Sequence, residues 1–331
     1  MTLSELQQRY AAHPNVAAMS RLLDTPSVHH IYCGGLCASS ASLFSSVLVG
    51  QGRRPYVFVL GDLEEAGYFY HDLVQILGDE EVLFFPSSFR RAIKYGQKDA
   101  ANEILRTEVL SRLQKADHAL SVVTYPDALA EKVVSRGELD AKTLKLHAGE
   151  KVDMTFITEV LHSYGFERVD YVYEPGQYAL RGSIIDVFSF SSEYPYRIDF
   201  FGDEVESIRT FEVETQLSKE PKDSVVIVPD LSHDLERKGT GGMVSFLDFL
   251  PVDTVLVLRD FLWLRERIQQ VHDEALTPQA IAAREAEENG AISLDGKLID
   301  GGEFTVRALD FRRMEFGAKP TGTPDATVSF H

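Results

Sequence analysis

The sequence predicts an α/β protein: a mostly parallel sheet covered by helices, interrupted by an inserted α+β domain with an antiparallel sheet. Three observations carry this. Short apolar runs alternate with segments of helical spacing from Val28 to Ala130, the pattern of a parallel sheet with helices on its faces. From Arg168 to Val213 strand-like runs follow one another directly, with Pro175-Gly176 and Gly202-Asp203 between them; such turn pairs make consecutive strands antiparallel. The strand–helix alternation then returns, so the first and third segments read as one domain with the second grafted into it. The expected pieces are 1–135, 136–222 and 223–331.

Taken in order, residues 5–24 show helical spacing and stop before Pro26. Val28–Cys33 reads as a buried strand, Gly34-Gly35 as a loop and Ala38–Val49 as a helix of small and apolar residues. Pro55–Leu60 is a second strand, with a helix after Asp62, and Glu81–Phe85 is a third. Ala100–Leu113 has helical spacing, His118–Thr124 is a fourth strand, and a short helix follows Pro126.

The pattern changes around Ser135-Arg136-Gly137. Residues 143–147 read as a strand and 153–165 as a helix, followed by strand-like runs at 168–174, 178–190 and 196–213. The charged stretch Ser218–Asp223 closes the insert. Val225–Val228 and Thr254–Leu258 then read as apolar strands of the resumed domain, and Phe261–Glu288 as a long polar helix. Glu303–Arg312 and Ala326–Phe330 read as further strands. The last residues carry no cap or polar tail, the ending expected of a fragment of a larger protein.

Composition narrows the function classes. A chain of 331 residues that is 44% hydrophobic and 25% charged suits two or three compact units with ordinary cores. The net charge of −18 argues against broad phosphate binding, which needs many Lys and Arg along a backbone. Cys33 and Cys37 are the only cysteines, too few for a disulfide framework, so a reducing, cytoplasmic setting is expected. Only His29 and His30 lie near them as further ligands, and a structural zinc wants four that converge. No cofactor or metal is expected. Met1–Met19 lacks the apolar core of a signal peptide, and no run of 18 apolar residues offers a membrane helix.

Strand, glycine loop and helix over 28–49 occupy the place of a phosphate-binding loop. That chemistry needs backbone N–H groups around the phosphates, a lysine on the terminal phosphates and a hydroxyl on magnesium. Counting G-x-x-x-x-G-K-[ST] from Gly34 puts Ser39-Ser40-Ala41 at the last three positions. Counting from Gly35 puts Ser40-Ala41-Ser42 there. Neither frame has the lysine, so the loop keeps the scaffold without the charge. Gly239-Thr240-Gly241-Gly242 lacks the same order and reads as a flexible loop.

The stretch Tyr171–Val213 carries no catalytic constellation and reads as a recognition surface. In Arg197-Ile198-Asp199-Phe200 the strand period puts Arg197 and Asp199 on one face and Ile198 and Phe200 on the other. Such charges either meet a partner or form cross-strand salt bridges of little weight. Asp203-Glu204 at the glycine turn and the short Arg90-Arg91 and Lys94 cluster read as solvated.

Tyr178–Phe188 followed by Tyr196–Glu204 resembles the inserted domain shared by the excision repair protein UvrB and the transcription-repair coupling factors. The element order agrees along essentially the whole chain. UvrB has the lysine missing here. It also has a long aromatic hairpin that clamps DNA, where this chain has only the short, tyrosine-poor interval Phe84–Tyr95. Both losses fit the UvrB-homology module of a coupling factor. The resemblance implies a degenerate P-loop (RecA/helicase-like) domain without ATPase activity, and an inserted domain that binds UvrA. It carries the UvrA contacts onto Arg168, Arg181, Arg197 and Asp199, with Ala179 standing where UvrB has a further arginine. It also implies that RNA polymerase and DNA are met by domains of the full-length protein beyond this chain. A UvrB-like ATP-dependent helicase subunit and a DNA-binding module are the alternatives.

Overall fold

Pro14 divides the first expected helix in two. In the computed structural model, α1 spans Leu3–Ala11 and α2 spans Pro14–Asp24, with the His13 side chain accepting from the N–H of Asn15 at the new start. A proline is tolerated in a first helical turn but not inside a helix. The structure describes residues 3–36, 39–88, 100–231, 242–277, 294 and 296–330. Cys37, Ala38, the Arg90-Arg91 and Lys94 cluster, Gly239–Gly241 and the 278–288 end of the long helix lie outside them.

The first segment continues as β1 His30–Gly34, α3 Ser39–Val49, β2 Tyr56–Val59, α4 Leu63–Leu77 and β3 Val82–Phe84. Then come α5 Ala100–Lys115, β4 Ser121–Thr124, α6 Pro126–Ala130 and β5 Val133–Val134. Asp62 caps α4 by accepting from the N–H of Glu65 at 2.9 Å, which sets its start where the sequence expects it.

The middle of the chain builds α7 Arg136–Ala141, β6 Leu144–His147, α8 Met154–Ser163, β7 Glu167–Arg168 and β8 Gln177–Arg181. It goes on through β9 Ile184–Val187, β10 Tyr196–Phe201, β11 Glu204–Phe211, β12 Ser218–Lys222 and β13 Ser224–Ile227. Six strands form a sheet in the order β12-β11-β10-β9-β8-β7, antiparallel except for β7 beside β8. The hairpins β8–β9 and β10–β11 both close on two-residue loops led by a glycine, Gly182 at φ +63° and Gly202 at φ +62°. A side chain rarely adopts that conformation, so the glycines select the turn and the turn sets the register.

One face of this sheet packs on α8. Ile157, Leu161 and Phe166 meet Ile185, Val187, Ile198, Phe200, Val205 and Ile208, all buried. Two expectations change here. Ser218–Asp223, read as a charged stretch closing the insert, is mostly the edge strand β12. Val225–Val228, read as a strand of the resumed domain, forms β13 instead: it pairs with β6 and adds Val225 and Ile227 to this same core.

After β14 Met243–Val244 the chain makes β15 Val255–Leu258, a helix Phe261–Ala275, a helix Gly301–Ala308, β16 Arg312–Glu315 and β17 Ala326–Ser329. With β1 to β4 of the first segment, β15, β16 and β17 form a seven-stranded parallel sheet, ordered β17-β1-β16-β15-β2-β4-β3. Strands β2, β4 and β15 are buried along their whole length, as expected of parallel strands covered on both faces. Glu303–Arg312 is not a strand. Asp300 accepts from the N–H of Glu303 at 2.7 Å and starts a helix whose Phe304 and Ala308, four apart, are both buried.

Two compact units result. One comprises 1–102, 112–133 and 243–331, the other 103–111 and 134–242. Among the described residues no helix is long and apolar enough to cross a membrane.

Candidate functional site

The second face of the six-stranded sheet carries the arginines. Backbone register lays out two rows across it. One runs Arg209, Arg197, Asp186, Ala179 over β11, β10, β9 and β8; the next runs Ser207, Asp199, Ile184, Arg181. Paired residues share a face, so alternation sends Ile185, Val187, Ile198 and Ile208 to the α8 core and leaves charge on this side.

Asp186 is the centre of the network. Its carboxylate is fully buried and takes the Arg197 guanidinium in a two-pronged contact, from Nε to Oδ1 at 2.7 Å and from Nη2 to Oδ2 at 2.9 Å. Arg181 Nη2, on the diagonal, donates to Oδ2 of the same carboxylate. Arg197 Nη1 donates to the carbonyl of Gln216 at 3.1 Å, and the guanidinium lies 4.5 Å over the ring of Phe211. Only 13% of the Arg197 side chain is exposed. Burial lowers its pKa, and the Asp199 carboxylate pulls it back up.

Asp199 sits in its own pair. Arg209 Nη2 approaches Oδ2 at 2.6 Å and the Ser207 hydroxyl donates to the same oxygen at 3.1 Å. Arg181 is the more open of the two arginines on Asp186, 35% exposed. Its Nε and Nη1 have no partner among the described residues, and its guanidinium stacks 5.2 Å from the ring centre of Tyr171.

Arg181, Arg197 and Asp199 are thus brought together, with Arg197 and Asp199 on the face their alternation requires. Arg168 is not with them. It is exposed on β7 and registers with Tyr178, whose side chain belongs to the α8 core on the opposite side. Ala179 is buried with Val172, Phe188 and Phe211 in a small apolar cluster beside the charged rows.

Sequence reasoning did not single out Asp186, Arg209, Tyr171 or Gln216. For Asp186 a signal was present: in Ile184-Ile185-Asp186-Val187 an acid interrupts an apolar strand on the face to which Arg181 and Arg197 belong. Gln216 has no such signal. Its φ of +60° and its side-chain bonds to the carbonyls of Val172 and Val213 become visible only in the folded loop.

The glycine loop lies in the other unit. Gly35 has φ +89°, and a Cβ there would run into the backbone carbonyl of Phe330. The Phe330 N–H donates to the carbonyl of Gly34 at 2.7 Å. Ser42 is buried, and its hydroxyl donates to Asp72 at 2.7 Å and to the carbonyl of Ser39 at 3.0 Å. Ser39, Ser40 and Ala41 begin α3. Cys33 is buried as well, which pushes its thiol pKa up to about 12 and makes it a packing residue.

Residues 144–233 match the UvrB interaction domain family. The matched stretch holds both charged rows and the strand β13. The chain is 29% identical over 296 residues to the transcription-repair-coupling factor of Bacillus subtilis, covering 72% of this chain and 25% of that protein. It is 26% identical over 197 residues to that of Escherichia coli, covering 59% and 17%. For the protein of Haemophilus influenzae the figures are 28% over 216 residues, covering 65% and 18%. The chain therefore spans about a quarter or less of the length of these relatives. The resemblance carried by Tyr178–Phe188 and Tyr196–Glu204 is borne out.

Proposed function

We propose that this chain is the UvrB-like module with which a transcription-coupled nucleotide excision repair factor recruits UvrA. The reading rests on one observation: within the stretch matching the UvrB interaction domain, a sheet face presents Arg181 on a buried, pre-formed ion-pair network. Arg181 offers the N–H groups of Nη1 to a partner carboxylate, while Arg197, Asp186, Asp199 and Arg209 hold the face in shape. Arg168, on the opposite side of the sheet, contributes at most a contact at the edge. RNA polymerase and DNA are engaged by the longer protein through parts outside this chain, which acts in the cytoplasm.

The parallel-sheet unit is, in this reading, a degenerate P-loop (RecA/helicase-like) domain without ATPase activity or cofactor. The missing lysine, the commitment of Ser42 to Asp72 and the close approach of Phe330 to Gly35 all support this. A phosphate group in that loop would meet no cation from the lysine position.

Titration calorimetry of the 331-residue chain with UvrA tests the docking role. Arg181→Ala is expected to weaken binding by about 2 kcal/mol without loss of fold. Unchanged binding by this variant would sink the site, and no binding by the parent chain would sink the function. ATP turnover above background, or a rise in melting temperature with ATP, would overturn the second part.

A further inference from the structure

An exposed tyrosine beside the least-paired arginine of the network needs an explanation. Tyr171 is half exposed, so core packing does not account for its place. Its backbone neighbourhood is nevertheless fixed. Val172 is fully buried, its carbonyl accepts from Gln216 Nε2 at 3.2 Å, and the N–H of Tyr173 donates to Gln177 Oε1 at 2.9 Å. The ring lies over the Arg181 guanidinium, which among the described residues otherwise has Asp186 alone to restrain it. A long arginine side chain on a single ion pair keeps much of its rotamer freedom, and a partner would have to remove it on binding.

We propose that Tyr171 is a positioning residue for Arg181. The ring on one side and the Asp186 carboxylate on the other hold the guanidinium ready, with the Nη1 N–H groups left for a carboxylate on a protein partner. This rests on the docking role proposed above and adds a residue to it. The chemistry is that of an interface anchor, in which an aromatic ring and an arginine form one rigid element.

Two measurements test it. In the free protein, ¹⁵N relaxation of arginine Nε is expected to show Arg181 ordered in the parent and in Tyr171→Phe, and mobile in Tyr171→Ala. Unchanged order in Tyr171→Ala overturns the positioning role whatever happens to binding. In calorimetry with UvrA, Tyr171→Ala is expected to weaken binding about fivefold, with Tyr171→Phe close to the parent. The double variant Tyr171→Ala/Arg181→Ala is expected to bind like Arg181→Ala alone. Additive losses would show that the ring acts independently of Arg181 and overturn the proposal. Loss of Arg181 order in Tyr171→Ala, combined with parent-like UvrA binding by Arg181→Ala, would remove the docking role from both residues.

Discussion

Arg197 and Arg209 stand directly opposite each other on β10 and β11, and each is neutralised by a different aspartate. Like charges across an antiparallel pair repel. Here Asp186, across on β9, takes Arg197, and Asp199, two residues along β10, takes Arg209. The face is an alternating array in which removing either aspartate leaves an arginine without its counter-ion.

The buried carboxylate is therefore the member whose loss matters most. Asp186→Ala leaves Arg197 without its counter-ion in a nearly closed site and is expected to destabilise the unit by about 3–5 kcal/mol. Arg197→Glu sets an acid against Asp186 and is expected to do similar damage, so it loses binding through loss of fold. Urea unfolding followed by circular dichroism checks both; a change below about 1 kcal/mol would mean that the network is ornamental.

Restoring the UvrB pattern at position 179 is expected to fail. Ala179 is 1% exposed among Val172, Phe188 and Phe211. Ala179→Arg would drive a long cation into that cluster and is expected to cost about 1–3 kcal/mol of stability or more. It gives no gain in UvrA affinity. A stable variant with tighter binding would show that the site tolerates the arginine.

His30 gives the parallel-sheet unit a pH dependence. Burial, and then the Arg313 guanidinium, outweigh the pull of Glu315 and Asp325 and hold its pKa below the ordinary 6.5. The unfolded chain then binds the proton more readily, so stability falls as pH drops through 6.5 and recovers above it. Melting curves from pH 8 to 5 should show this loss, and His30→Gln should flatten it. Parallel curves for the two proteins would contradict the assignment.

The helix Gly301–Ala308 depends on its cap. Asp300→Ala is expected to lower stability by about 1 kcal/mol, whereas Asp300→Asn should lose less. Equal melting temperatures for all three proteins would argue against the cap.

Much of the architecture was legible because it follows from local pattern. The runs at Pro55–Leu60 and Thr254–Leu258 are almost wholly apolar, the pattern of a strand covered on both faces. Gly202-Asp203 marks a turn by its own chemistry, whereas the turn at Gly182 divides the stretch 178–190, which reads as one strand-like run, into β8 and β9. Alternation was enough to put Arg197 and Asp199 on one face. What it did not reveal was register, and register decides whether a charged residue meets solvent or an opposite charge; hence the choice between a partner and a cross-strand salt bridge for Arg197 stays open in the sequence, and Asp186 gives no clear sign of its place. The strand β13 was assigned to the wrong neighbours because β6 lies far from it in sequence. Thr305 and Val306 favour strands by their branching, and the Asp300 cap with buried Phe304 and Ala308 overrides that preference.

The edge strand β12 has a consequence for how this sheet meets other proteins. All five of its residues, Ser218 to Lys222, are exposed, and an open edge of that kind invites another chain to extend the sheet. Its sequence, Ser-Lys-Glu-Pro-Lys, discourages this: Pro221 has no N–H to donate, and Lys219 and Lys222 would have to shed water. Strand addition is closed off along that side. Along that edge, any contact must run through side chains rather than backbone, and such a contact is tunable one residue at a time.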